Sequence, residues 1–519
     1  MTSALILLAA TAAAPVPAEV PPGTPIVSIR VVRDDIFDVS EPATSSWPYR
    51  WADHLHVLTR ERFIRSILLF KVGDALDPAR IAESERLLRG TGFLSPVTIT
   101  VAPAPGGAEV TVHTHDEWTT LAGASFGLAG NRKHAGASLS EENFLGWGKE
   151  LAIEYDSDPV RNTTTFEYTD NLFLASRWRL ALRYLNASDG KTEAFGLQYP
   201  FFSLATPRAA GLAWQRVTLT EYLYATNRKA VSGTTRTSGF LLWGGLRAWG
   251  DGVTTNRLTL GVFTDKAEFS NWRLTDGEPY PTPTGHAMQG VRLGWDHQLD
   301  RWKVVTGFRA WQRQEDVPLG PNWTVASGVS APAFGGDETR VKLDAGFNAG
   351  ILSGRQFSWL NLAESVRFDR GANDNQVSHV DFGTARTGPV GWRGRVSVDL
   401  GHNLDGDRQL TLGADTGLRG WDPDTFDGTS RAVANLEWRH VLTGEVLHLG
   451  VIGGALFVDA GKTWAPRVGP STEGIRKDAG IGLLIESTRA AAVSVVRVEA
   501  AFPDHGKGPV FLISSISLF

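Results

Sequence analysis

Four places in the chain combine residue type and spacing in ways that could do chemistry. His113-Thr114-His115-Asp116 sets two histidines at i and i+2, which on a strand share a side and could begin a metal site. No third ligand follows at a recognisable spacing, so no metal is expected. Asp422-Pro423-Asp424-Thr425-Phe426-Asp427-Gly428 resembles a calcium loop but lacks the further oxygen ligand and the terminal Glu, and reads as a solvated acidic loop. The third place is Gly417-Leu418-Arg419-Gly420-Trp421, and the fourth is a pair of carboxylates, Glu437 and Asp459, each set in an alternating segment. Alternation puts Asn435, Glu437 and Arg439 on one strand face, with Ala434, Leu436 and Trp438 on the other. It likewise separates Phe457 and Asp459 from Leu456 and Val458. No nucleophile elbow, phosphate loop or zinc-protease motif accompanies these groups. The expectation is therefore no enzyme, no catalytic residue and no cofactor.

The elements that must position Glu437 and Asp459 follow one pattern from about residue 119 to Phe519: apolar and polar residues alternate over short segments separated by turns. Trp178, Leu180, Leu182 and Tyr184 alternate with Arg177, Arg179, Ala181 and Arg183. Val341, Leu343, Ala345 and Phe347 alternate with Lys342, Asp344, Gly346 and Asn348. A strand face with several charges cannot line a dry core, whereas it suits a closed barrel with lipid outside and water within. The fold class is accordingly mostly β: a transmembrane antiparallel β-barrel over 118–519, with up to about 20 strands by segment count. Segments read as strands include Arg177 to Leu185, Lys303 to Trp311 and Val341 to Ile351. Connections near 144–148 and 201–207 read as short turns, and 221–236, 271–286 and 320–340 as long polar loops.

Composition agrees. The 519 residues include Gly 56, Trp 18 and Phe 25 against Met 2, a bias toward turns, strands and interfacial belts. Mean hydropathy of −0.13 does not exclude a membrane, because a barrel hides its apolar half in alternation. The net charge of −5 carries no basic tract, which argues against nucleic acid as a partner. Zero cysteines remove disulfides and thiolate metal sites together.

Upstream, the apolar run Ala4–Ala14 and Val16-Pro17-Ala18 read as a secretory signal peptide over 1–18, without the usual Lys or Arg at its start. Residues 25–117 read as β-α-α-β-β. Thr59 is the expected cap of the first helix; Asp77 and Pro78 open the second, and Gly90 and Gly92 end it. The insert 34–58, with Trp47, Tyr49 and Trp51, reads as a packed loop.

Taken in order, Gly417-Leu418-Arg419-Gly420-Trp421, Asn435-Leu436-Glu437-Trp438-Arg439 and Phe457-Val458-Asp459-Ala460-Gly461 resemble the signature of the BamA/TamA outer-membrane assembly superfamily. Trp421 stands where that family has Phe or Tyr. The N-terminal block is similar to a polypeptide-transport-associated (POTRA) domain, in one copy where BamA-type insertases carry several. The resemblance implies sixteen strands, and a loop folded into the lumen where Arg419 pairs with Asp459, near Glu437. It implies that Phe519 ends a C-terminal sorting signal. It also implies a place in the outer membrane of a Gram-negative bacterium, with the N-terminal domain in the periplasm. The function implied is insertion or translocation of proteins. The implied partners are outer-membrane lipid, unfolded outer-membrane or secreted clients captured by strand addition, and periplasmic or inner-membrane proteins at the POTRA domain. A passive channel or surface antigen with the same fold is the alternative.

Overall fold

The computed structural model describes residues 20–129, 132–158, 160–369, 372–491, 495–506 and 508–514. The segment 1–18 and Phe519 lie outside the described residues.

The N-terminal unit comprises β1 (Ile26–Asp34), α1 (Trp47–Leu55), α2 (Glu61–Ile67), α3 (Pro78–Arg89), β2 (Leu94–Ala104) and β3 (Gly107–Asp116). Its sheet order is β1-β3-β2, with β1 parallel and β2 antiparallel to β3. The alternation of β3 sends Val110 and Val112 against Phe63, Ile64 and Leu88 of the helices, closing a two-layer core. Asp77 caps α3 by accepting from the Ala79 N–H at 2.9 Å, with Pro78 at the first turn. Thr59 does not cap α2, whose cap position is Arg60. Its buried hydroxyl instead donates to Asp116 at 2.6 Å and accepts from Asn143 at 2.7 Å, which joins the domain to the rim of the main sheet. The insert 34–58 is more than a packed loop, because Trp47–Leu55, with Pro48 in the first turn, forms α1.

From Thr120 onward, twenty strands among the described residues form one antiparallel sheet in which each of them neighbours the next, and the sheet curls until its last strand lies beside its first. Twenty is the number from counting segments, not the sixteen implied by the resemblance. Register carries a single polar face around the sheet, for example through Arg183↔Glu167 and Asn435↔Asp459. Burial is inverted relative to a protein in water: Leu260, Leu293, Leu436, Leu456, Val458 and Ile481 are exposed, while Arg393, Glu437, Asp459, Arg497 and Glu499 are buried. Among the described residues no helix is long and apolar enough to cross a membrane, a fact without bearing on strands.

Three expected connections are different in the structure. Residues 221–236 are not a loop: Arg208–Ala225 and Arg228–Gly250 run on to a two-residue turn, Thr226-Asn227, with φ 50° and 59°. Positive φ at both positions matches the twist of a hairpin, so pairing continues to the tip. Gly320–Ser330 is likewise a strand, leaving 331–339 as the connection, and Thr254–Leu274 shortens the third to 275–285. Lys303 to Trp311 is not a strand of the main sheet. Trp302–Thr306 pairs with Gln314–Pro318 in a separate hairpin, and the chain turns at Gly307 (φ 81°) to send Trp311 elsewhere.

Candidate functional site

The long connection 403–429 folds onto the polar face of four consecutive strands, Ser430–Val441, Gly450–Trp464, Arg476–Ser487 and Val495–Pro503. Leu412 and Phe426 exchange backbone hydrogen bonds at 2.9 and 3.1 Å, which makes the loop a narrow finger. Leu418, fully buried, packs with Leu412, Phe426 and Val433 and anchors the finger's apolar side. Trp421 stacks at a tilt on Phe426, centroids 4.9 Å apart. Two glycines permit the approach. Gly417 has φ 104°, the left-handed region, and a Cβ on Gly420 would sit 2.5 Å from Cβ of Asp478.

At the fingertip Arg419 is 2% exposed. Its Nε and Nη2 donate to the two oxygens of Asp459 at 2.7 and 2.9 Å, a bidentate pair. Nη1 donates to Glu437 at 2.8 Å and to Glu499 at 3.0 Å, and the guanidinium carbon lies 3.5 Å from the centroid of the Phe457 ring. Arg497 bridges the same two glutamates at 2.5 and 2.6 Å, and Arg439 pairs with Glu437. Asn435 donates to Asp459 at 2.8 Å and to the Gly417 carbonyl at 2.6 Å. Three guanidinium groups thus meet three carboxylates in a space closed to solvent. Such a network is stable only while complete, since each missing member leaves a charge buried without a counterpart.

The sequence brings Leu418, Arg419, Gly420, Trp421, Glu437 and Asp459 to one place. It did not disclose Glu499 and Arg497, although Val495-Val496-Arg497-Val498-Glu499 carries the same alternation as Glu437's strand. Asp427 was read as part of a solvated loop, but it is 1% exposed. It accepts from the N–H groups of Arg467, Val468 and Gly469 at 2.7, 2.6 and 2.8 Å and from Gln409 at 2.7 Å, clamping the finger's base to a neighbouring loop. At the domain junction His113 pairs with Asp34 at 2.7 Å and Asp116 accepts from Thr59 and pairs with His56.

A second intruder reaches the same four strands from the opposite end. In the 302–318 hairpin, Trp311 packs on Val451, Ala455, Leu484 and Val495, and its backbone N–H donates to Glu486 at 2.6 Å. The hairpin is tied to the N-terminal unit: Arg89 makes a bidentate pair with Asp316 at 2.9 and 2.8 Å, and Arg313 meets Glu117 at 3.0 Å. Burial pushes the Glu117 carboxyl up to about 8 despite that guanidinium.

No family model and no curated protein sequence matches the chain. Among solved structures it is similar to BamA from Haemophilus ducreyi lacking POTRA domains 1–3, at 14% identity and TM-score 0.39, over 94% of this chain and 84% of that one. It is also similar to CdiB from Escherichia coli at 15% identity and TM-score 0.46, over 95% and 76%. For CdiB from Acinetobacter baumannii the values are 11% and 0.44, over 94% and 73%.

Other parts of the polar face carry ion pairs that are only partly covered. Arg183 meets Glu167 at 3.1 Å with side chains 53% and 42% exposed, and Arg292 meets Asp344 at 3.2 Å. A cavity of about 650 Å³ lies along this side, lined in part by Arg183, Asp265, Arg292, Lys342 and Asp344. The two ends of the sheet's interior are thus obstructed beside one wall while the facing wall stays open.

Proposed function

We propose that the sheet closes into a transmembrane barrel in the outer membrane of a Gram-negative bacterium, with the N-terminal unit in the periplasm as a POTRA domain. In this reading the protein assists insertion or translocation of other proteins at that membrane. The membrane assignment is supported by the inverted burial: exposed Leu, Val and Ile on one face and charges on the other satisfy hydrocarbon and water respectively. Hydrocarbon offers no partner to a free N–H, so the first and last strands, already adjacent, must pair.

The observation that carries the assembly role is Arg419 held by carboxylates from three strands. A loop fixed this firmly braces the wall that includes the last described strands, leaving the junction of first and last strands as the place where an incoming strand could pair. Client folding would supply the free energy. Both β1 and β2 have one sheet neighbour each, so an extended client segment could add to an edge of the N-terminal sheet. The wet charges of the facing wall favour the second reading, a passive channel.

Reconstitution into liposomes separates the two. Vesicles containing the protein should fold a urea-unfolded test barrel several-fold faster than empty vesicles, with little steady conductance in planar bilayers. Equal folding rates together with a large, client-independent conductance would overturn the assembly role in favour of the channel.

A further inference from the structure

Helix α1 (Trp47–Leu55) presents one side to the protein and another to its surroundings. Tyr49, Ala52 and Asp53 face inward. The Tyr49 hydroxyl donates to the Leu447 carbonyl at 2.9 Å, its ring meets His448 edge-on, and Asp53 accepts from the Phe37 N–H at 3.2 Å. Trp47, Trp51 and Leu55, spaced i, i+4 and i+8, form a stripe left 75%, 60% and 52% exposed. Arg50 and His54 flank that stripe on its own side, both exposed.

What lies next to the helix identifies its counterpart. The helix is docked on the turn 442–449, which joins two strands whose outward residues Leu436, Trp438, Leu456 and Val458 belong to the apolar band. Leu442, Val446, Leu447 and Leu449 of that turn are exposed as well, so apolar surface continues from the band toward the rim where α1 is docked. At the same rim Trp249, Trp295 and Trp323 stand in a row, with centroids 6.4 and 5.7 Å apart, as an aromatic girdle would. Tryptophans at headgroup depth, a leucine beyond them and an arginine beside a histidine on the polar flank are the composition of a helix lying in a membrane interface.

We infer that α1 is a monotopic anchor, lying in the periplasmic leaflet of the same membrane that surrounds the sheet, with Trp47, Trp51 and Leu55 in the acyl boundary and Arg50 and His54 toward phospholipid phosphates. The inference rests on the membrane reading above. It gives the N-terminal unit a second attachment, to lipid, so that the domain is held at a fixed height over the mouth instead of swinging below it.

The chain has no cysteine, so single nitroxide labels can be placed without background. We would label Trp51→Cys, Leu55→Cys, Val458→Cys on the apolar band, and Lys71→Cys on the exposed side of the N-terminal unit, in the full chain in phosphatidylethanolamine–phosphatidylglycerol vesicles. Collision with oxygen should exceed collision with an aqueous nickel chelate several-fold at 51, 55 and 458, and the order should reverse at 71. Replacing Arg50 and His54 by Glu should lower the oxygen preference at 51 at least twofold. Labels at 51 and 55 that behave like 71, while 458 stays lipid-like, would overturn the anchor and leave a protein partner as the occupant of the stripe. A water-like label at 458 would sink the membrane reading itself, and the anchor with it.

Discussion

Two walls of one sheet, built by the same alternation, carry their charges in opposite states. On the wall from Ser430 to Pro503 the polar residues are sealed: Arg419, Glu437, Asp459, Arg497 and Glu499 are each at most 4% exposed. On the wall through Arg183, Arg292 and Lys342, comparable ion pairs stand in water. Strand sequence alone does not distinguish them. The difference comes from segments outside the sheet: the finger 403–429 from one end and the hairpin 302–318 from the other. Alternation decides which face is polar, and only long-range folding decides whether that face is dry. Energetic consequence follows dryness, because a charge in water can lose its partner cheaply and a sealed one cannot.

The largest test of the contrast is Arg419→Ala. It leaves Asp459 without its bidentate partner and removes one donor from each of two buried glutamates. Breaking a buried pair from one side costs about 3–5 kcal/mol, so this variant should unfold at a clearly lower temperature or urea concentration. Its finger should also become accessible to protease. A change within about 0.5 kcal/mol, the scale of surface substitutions, would mean the cluster is solvated and the two walls are alike.

Trp311→Ala attacks the sealed wall from the other end. Removing a buried indole from contact with Val451, Ala455, Leu484 and Val495 should cost about 3 kcal/mol. The hairpin would lose its anchor in the interior while keeping its Arg89–Asp316 tie to the N-terminal unit. Conductance in planar bilayers should therefore rise or flicker, which sharpens the contrast by showing that the dry wall is also the obstructed one. Unaltered conductance would assign the obstruction to the finger alone.

Gly420→Ala is a smaller intervention at the same contact. The added Cβ meets the backbone-proximal part of Asp478, which cannot rotate away, so the fingertip must lift. Overpacking of this kind costs about 1–3 kcal/mol and should weaken the Arg419 pairs without deleting them. Melting should fall between wild type and Arg419→Ala.

The alternating strands and their polar face were readable from local spacing, because period two is a property of neighbours in sequence. The same spacing put Glu437 and Asp459 on that face. Arg419's place beside them came from the resemblance, since no local rule says where a 27-residue connection folds. Residues 303–311 read as a sheet strand because Lys303 to Val305 look like any other strand, whereas the departure at Gly307 depends on a pocket for Trp311 assembled from distant strands. Asp427 was misread for the same reason: the three N–H groups it binds belong to 467–469. The stretch 221–236 reads as a loop because its Thr, Ser and charged residues resemble turn composition, although its two halves pair on either side of Thr226-Asn227, with one register shift between Leu223 and Tyr224.

The smallest expected effect is the most discriminating, because it examines the wet wall in isolation. Arg183 and Glu167 make a cross-strand pair at 3.1 Å, yet both side chains are about half exposed. Water competes for both groups and screens what remains, so Arg183→Ala should cost about 0.2–1 kcal/mol and leave melting nearly unchanged. Its influence should be on ions instead: if that side lines a pore, removing a positive charge from it shifts the balance toward cations, measurable as a displaced reversal potential under a salt gradient. Arg183 thus carries on a strand's polar face the same guanidinium that Arg419 brings to that face from the finger. Should the two variants destabilise equally, the separation into a sealed wall and an open one would fail. Should Arg183→Ala alter selectivity while Arg419→Ala alters stability, the finger and hairpin are what convert one face of a uniform sheet into two different surfaces.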